Sequence, residues 1–158
     1  MKQNTAAEKL IKKHPKWTQW IEKPRLLRLG NLILTNRRLL FLHQVPPSPE
    51  ITAMKNQEVN FPLETNLNNA FRLNQNNFQI PLSSIGNVRI GAFNWNPMPH
   101  VCLTVIYFDG INTASRSASF QFIRPIKQTI LKPQIVVVIG WVKAINQAIK
   151  NAETPDTK

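Results

Sequence analysis

The sequence predicts an α+β fold in which antiparallel strands come first and one amphipathic helix comes last. Three observations carry that expectation. Residues 30–42 read as a hairpin; strand-like runs recur at 79–82, 88–91, 101–108 and 120–123; and Ile135, Val138, Ile139, Val142, Ile145 and Ile149 fall in one helical stripe. A curved sheet, or two sheets packed orthogonally, leaves an open end that a single helix can plug. A chain of 158 residues is normally one domain, long enough to bury a core.

Residues 1–22 form a basic N-terminal segment, and residues 23–152 are expected to make the domain. Ala6, Ala7, Leu10 and Ile11 sit at helical spacing, so residues 5–14 read as a short helix that Pro15 stops. Lys16-Trp17-Thr18-Gln19-Trp20-Ile21 follows. Tryptophans among lysines either anchor a membrane interface or cap the open end of the domain's own core. Residues 25–35 are then a strand or strand pair, and 38–44 its hairpin partner.

With Asn36-Arg37 as the loop, Thr35 faces Arg38, Leu34 faces Leu39, Ile33 faces Leu40 and Leu32 faces Phe41. Alternation along a strand places Leu32, Leu34, Leu39 and Phe41 on one apolar face, while the opposite face is mixed. Asn tolerates the left-handed backbone of a tight turn, but Arg is a poor second loop residue, so a three-residue loop with a bulge is equally compatible. Residues 45–78 change character. Val45-Pro46-Pro47-Ser48-Pro49 cannot continue a strand, and the Asn-rich stretch after it is poor helix material even though Leu63, Leu67, Ala70, Phe71 and Leu73 give an amphipathic turn or two. This segment is expected to be a long, partly ordered insertion, open to proteolysis.

Strand character returns at Gln79-Ile80-Pro81-Leu82, where the proline argues for an edge position or a strand start. Residues 88–91 form a short strand, and residues 93–99 an aromatic, proline-bounded loop. Residues 101–108 are the strongest strand, closed by an Asp109-Gly110 turn, and Phe120 and Phe122 share one face of the last. The closing helix points Lys143, Asn146, Gln147 and Lys150 away from its stripe, with Pro133 suited to its first turn. Residues 153–158 are a tail.

The ordered set Gly30 to Phe41, Ile80-Pro81-Leu82-Ser83-Ser84-Ile85, the late hairpin around Asp109-Gly110 and the closing helix from Trp141 resembles GRAM-type and bacterial pleckstrin-homology-like domains. The resemblance covers roughly residues 25–150. It implies a pleckstrin-homology-like barrel of two packed antiparallel sheets, capped by the C-terminal helix and carrying a long insertion after the first hairpin. It also implies a binding module for lipids, peptides or other domains rather than an enzyme.

The chain's chemistry agrees with that implication. Cys102 is the one cysteine, so an intramolecular disulfide is excluded; in an apolar strand it reads as a buried small hydrophobe, and a reducing compartment fits. His14, His43 and His100 stand apart from carboxylates or thiols at metal-ligand spacing, and neither a phosphate loop nor a nucleophile elbow occurs. No catalytic residue and no cofactor are expected. The N-terminus lacks the apolar core of a secretory signal, and the longest apolar run is too short for a bilayer, so a cytoplasmic, peripheral protein is expected.

Charge is the one extreme. The net charge is +12, and residues 1–28 hold eight basic side chains against Glu8 and Glu22, half of the surplus. Such a balance favours phosphates on membranes, nucleic acid or acidic proteins, or else serves as a solubilising surface. The candidate anion- or lipid-binding residues are Lys16, Lys23, Arg25, Arg28, Arg37 and Arg38, because arginine forks match phosphate oxygens and lysines add point charge. In pleckstrin-homology domains basic residues near the first strands contact phosphoinositide headgroups, which the resemblance carries to these positions; the usual spacing of basic residues on those strands is not reproduced. The alternative is a protein-interaction scaffold anchored by Phe93, Trp95 and Met98. Nucleic acid ranks third, since the sequence shows no recognition motif for it.

Overall fold

A computed structural model describes residues 7–14, 18–23, 26–43, 62–95, 98–110, 114–122 and 134–154. The elements are β1 (Leu10–Lys13), β2 (Thr18–Lys23), β3 (Leu26–Thr35), β4 (Arg38–His43), α1 (Leu63–Arg72), β5 (Phe78–Pro81), a 3-10 turn (Leu82–Ser84), β6 (Ile85–Trp95), β7 (Met98–Phe108), β8 (Ser115–Phe122) and α2 (Gln134–Glu153). The strands form one antiparallel sheet of eight, in the order β5-β4-β3-β2-β8-β7-β6, with β1 also on β3. The α+β class stands, although hydrogen bonding runs through a single sheet where two were expected.

That sheet curls. Three strand spacings separate β4 from β8, about 14 Å along a flat sheet. Yet the Phe41 and Phe120 rings lie 5.8 Å apart, and Phe78 of β5 sits 6.0 Å from Phe120. The concave side holds the core, and α2 packs against it through Val138, Trp141, Ile145 and Ala148. Trp141 stacks on Phe122 at 5.4 Å and carries the Lys12 ammonium over its ring at 5.6 Å.

The first hairpin has the expected register: Leu34 pairs with Leu39, Ile33 with Leu40 and Leu32 with Phe41. Leu32, Leu34, Leu39 and Phe41 are all buried in the core. A side chain at Gly30 would run into the Leu42 carbonyl oxygen and come within 2.8 Å of the Phe41 ring, so that close strand approach requires glycine. Pro81 lies on β5, which among the described residues pairs with β4 alone, the edge position its missing N–H allows. Trp20 lies against Phe41 and Phe78, on the core as a cap. Cys102 is buried as expected, and Phe120 and Phe122, expected on one face, are both buried in the core.

Four expectations are corrected. Where a helix was expected across residues 5–14, Leu10–Lys13 is a strand on Ile33 to Thr35. β4 occupies the other edge of β3, so β1 and β2 lie end to end along the remaining one. A short lysine-rich helix is marginal by itself, whereas the edge of β3 offers backbone partners at once. The N-terminal segment therefore supplies two strands of the sheet.

The helix within the insertion, expected as an amphipathic turn or two, is the second: it runs from Leu63 to Arg72. Residues 62–78 are packed: α1 lays Leu67, with Leu63 and Phe71, on Ile33 and Leu40, the outer face of the hairpin. Its apolar residues recur every four positions, and burial on the hairpin outweighs the weak propensity of its asparagines. Asn77 ties the end of this helix down. Its Nδ2 donates to the carbonyls of Ala70 and Phe71, each at 3.1 Å, and its Oδ1 accepts from the His43 amide at 2.6 Å. Residues 45–61 lie outside the described residues.

Third, residues 93–95 and 98–99 are strand where a loop was expected: β6 and β7 pair through Phe93 with His100, Asn94 with Pro99 and Trp95 with Met98. Aromatic residues favour strands, and Pro99 lies on β7 before β8 joins it at Leu103, where a missing N–H is tolerated. The short strand expected at 88–91 is the middle of this eleven-residue β6.

Fourth, the closing helix is rotated relative to the expected stripe. Val138 and Ile145 are buried as expected, but Ile135 is 42% exposed, and Trp141 and Ala148 are buried instead, with Val142 and Ile149 half-buried flanks. The bulky indole sets which face of the helix enters the core. Lys143, Asn146, Gln147 and Lys150 are exposed as expected.

Candidate anion-binding site

The β3–β4 turn concentrates the chain's polar chemistry. Thr35 builds it: its Oγ1 accepts from the amides of Arg37 and Arg38 at 3.2 and 3.1 Å, the local bonding that turns favour. This explains how Asn36-Arg37 serves as a tight loop without glycine. From outside, the N-terminal residues clip the turn. Asn36 Oδ1 accepts from the Lys9 amide at 2.7 Å, the Asn36 amide donates to the Lys9 carbonyl at 3.0 Å, and Asn36 Nδ2 donates to the Ala7 carbonyl at 3.3 Å.

Between these two strata lies an ion pair. Arg38 grips the Glu8 carboxylate as a fork, Nε to Oε1 and Nη2 to Oε2, each at 2.9 Å. The Thr35 hydroxyl donates to Glu8 Oε1 at 2.7 Å. The same guanidinium donates from Nη1 to Gln79 Oε1 at 2.6 Å and from Nη2 to Asn68 Oδ1 at 2.8 Å. One arginine thus joins the N-terminal segment, the hairpin, α1 and β5. The Glu8 side chain is 1% exposed and that of Arg38 is 14% exposed. Burial pushes the Glu8 carboxyl up, but the hydrogen bonds from Arg38 and Thr35 and the charges of Arg38 and Arg37 outweigh it and hold the group below its usual range.

Arg37 points elsewhere, meeting Glu64 of α1 at 3.0 Å in a pair open to solvent on both sides. Of the six cationic residues singled out in the sequence, the structure brings Arg37 and Arg38 together. Arg28 is half-buried on β3 opposite Trp20, roughly 23 Å of strand from the turn. Lys23 belongs to β2, with its side chain outside the described residues, as are Lys16 and Arg25 altogether. Phe93, Trp95 and Met98 are strand residues whose side chains also lie outside the described residues.

Sequence reasoning missed Glu8, Asn68 and Gln79. The available signal was Glu8 itself, one of two acids set among the eight basic residues of residues 1–28. Chemically this is a binding geometry, in which a guanidinium fork and a hydroxyl converge on one oxyanion. Among the described residues no three His, Cys, Asp or Glu side chains converge as a metal site would need. Compared with known proteins, the chain matches no protein-family model and no curated protein.

Proposed function

We propose that this chain is a non-catalytic binding module with a GRAM- or pleckstrin-homology-like barrel, which holds anionic membrane lipids weakly through its basic surface. The curled antiparallel sheet plugged by a C-terminal helix supports that reading of the fold. One observation carries the functional reading. Glu8, Glu64 and Asp109 each face an arginine at 2.8 to 3.0 Å, so these carboxylates are spent inside the molecule. Lys9, Lys13, Arg72, Arg89, Lys143 and Lys150 stand exposed and present the surplus charge outward.

Each lysine or arginine near an anionic leaflet contributes about 1 kcal/mol, so a few facing one surface give detectable, salt-sensitive attachment. No helix among the described residues is long and apolar enough to cross a membrane, which suits peripheral attachment at a cytoplasmic surface. Cosedimentation with neutral and anionic liposomes, at low and raised salt, tests the reading. Recruitment to anionic vesicles that fades with salt is the expected result. Indifference to lipid charge would transfer the assignment to a protein-interaction scaffold, and displacement by duplex DNA would transfer it to nucleic acid.

A further inference from the structure

Polar contacts fix the N-terminal residues on the β3–β4 turn. Ala7, Lys9 and Leu10 are all exposed, so apolar burial does little to keep residues 7–9 in place. What holds them is the Glu8 carboxylate in the Arg38 fork, the Thr35 hydroxyl and the three bonds of Asn36. A bidentate guanidinium and a hydroxyl donor are what a phosphate oxygen pair also receives at a binding site. Glu8 is not the guanidinium's sole partner: Nη1 also donates to Gln79 and Nη2 to Asn68, bonds that remain available to aim the fork when the carboxylate leaves. Arg37, on the same turn, is paired with Glu64 and acts on the Glu8 carboxylate only through its charge.

We propose that the β3–β4 turn is a site for a phosphate-type oxyanion, and that the chain keeps it closed with its own Glu8 as a tethered occupant. The inference rests on the reading of the chain as an anion-binding module and adds the regulation of that binding. A tethered carboxylate competes at an effective concentration in the millimolar range, so an incoming anion sees a site open only part of the time. Residues 7–9 act as the latch, and their departure exposes Thr35 and Arg38 together.

The test uses the full chain and its Glu8→Gln variant, which keeps the side chain's size and removes its charge. Inorganic phosphate is titrated while the Arg38 Nε–H resonance is followed, and vesicles of neutral or anionic phospholipid are offered in parallel. Glu8→Gln should bind phosphate at least tenfold more tightly than the unaltered chain. A matching gain on anionic vesicles identifies a lipid headgroup as the anion; a gain on phosphate alone identifies a free phosphate, keeps the latch and removes the membrane reading. A folded Glu8→Gln protein that binds phosphate no better overturns the latch, and unaltered recruitment of both proteins to anionic vesicles would then leave the module reading standing. Should the variant lose its fold, hydrogen exchange of the Lys9 amide in the unaltered chain decides. Exchange that quickens as phosphate is added supports the latch, and exchange that phosphate leaves unchanged overturns it.

Discussion

The two helices cover the same sheet by different means. α2 inserts Val138, Trp141, Ile145 and Ala148 into the concave side, and each is 3% exposed or less. α1 buries Leu67 on the convex side of one hairpin and relies on polar ties at both margins: Asn68 and Glu64 to the two turn arginines, Asn77 to its own last carbonyls. One helix is fixed by volume, the other by hydrogen bonds around a small apolar seam. The comparison teaches that a helix of poor intrinsic propensity is ordered when a neighbouring sheet face lacks cover. Ile33 and Leu40 would otherwise meet water.

The largest effect is expected at the apolar extreme, in α2. Trp141→Ala should cost about 3–5 kcal/mol, since it removes the largest fully buried side chain and leaves a cavity beside Phe122. Urea denaturation measures it, and a cost near zero would show that the helix does not plug the core. Next comes the polar clamp. Arg38→Ala should cost about 3 kcal/mol, because Glu8 must either stay buried without its partner or give up its place on the turn, and the bonds to Gln79 and Asn68 are lost as well. Leu67→Ala, in the thinner seam under α1, should cost about 2 kcal/mol, and a loss equal to that of Trp141→Ala would erase the distinction between the helices.

The smallest effects separate the two neighbouring arginines. Arg37→Ala should change stability by less than about 1 kcal/mol, because its pair with Glu64 is exposed on both sides and solvent screens it. Acid should probe the Arg38 side alone. Glu8 has its carboxyl depressed in the folded chain, so its contribution is complete above the ordinary carboxyl range and is lost as pH falls through the folded value. Thermal unfolding followed downward from neutral pH should show this loss in the unaltered chain and a shallower one in Glu8→Gln.

Legibility in the sequence followed the distance over which partners meet. The hairpin register could be read residue by residue because Leu32 to Phe41 pair across a two-residue turn, where alternation and sequence proximity act together. Pro81 announced an edge, and the run through Val105 announced a strand, for equally local reasons. β1 was misread because its residues 10–13 carry no alternation of buried and exposed side chains; Leu10 and Ile11 are 52% and 44% exposed, and only the backbone edge of β3 selects their conformation. α1 needed knowledge that the outer hairpin face required cover. The candidate site was legible only as arginines, since Glu8, Asn68 and Gln79 reach Arg38 across 30, 30 and 41 residues of chain.

β2 draws its second partner from the far end of the chain, Thr18 lying opposite Phe122 and Ile21 opposite Ser119. During synthesis, β2, β3 and β4 are complete at His43 while β8 begins only at Ser115, about 70 residues later, which at ~5–20 residues per second is a wait of roughly 4–14 s. Throughout that interval the outer edge of β2 offers bare amides and carbonyls to any neighbouring nascent chain. The lysines and arginines clustered in residues 1–28 travel with that edge, and copies of the same half-made sheet repel one another through them. The surplus charge thus opposes edge-to-edge association of the unfinished sheet.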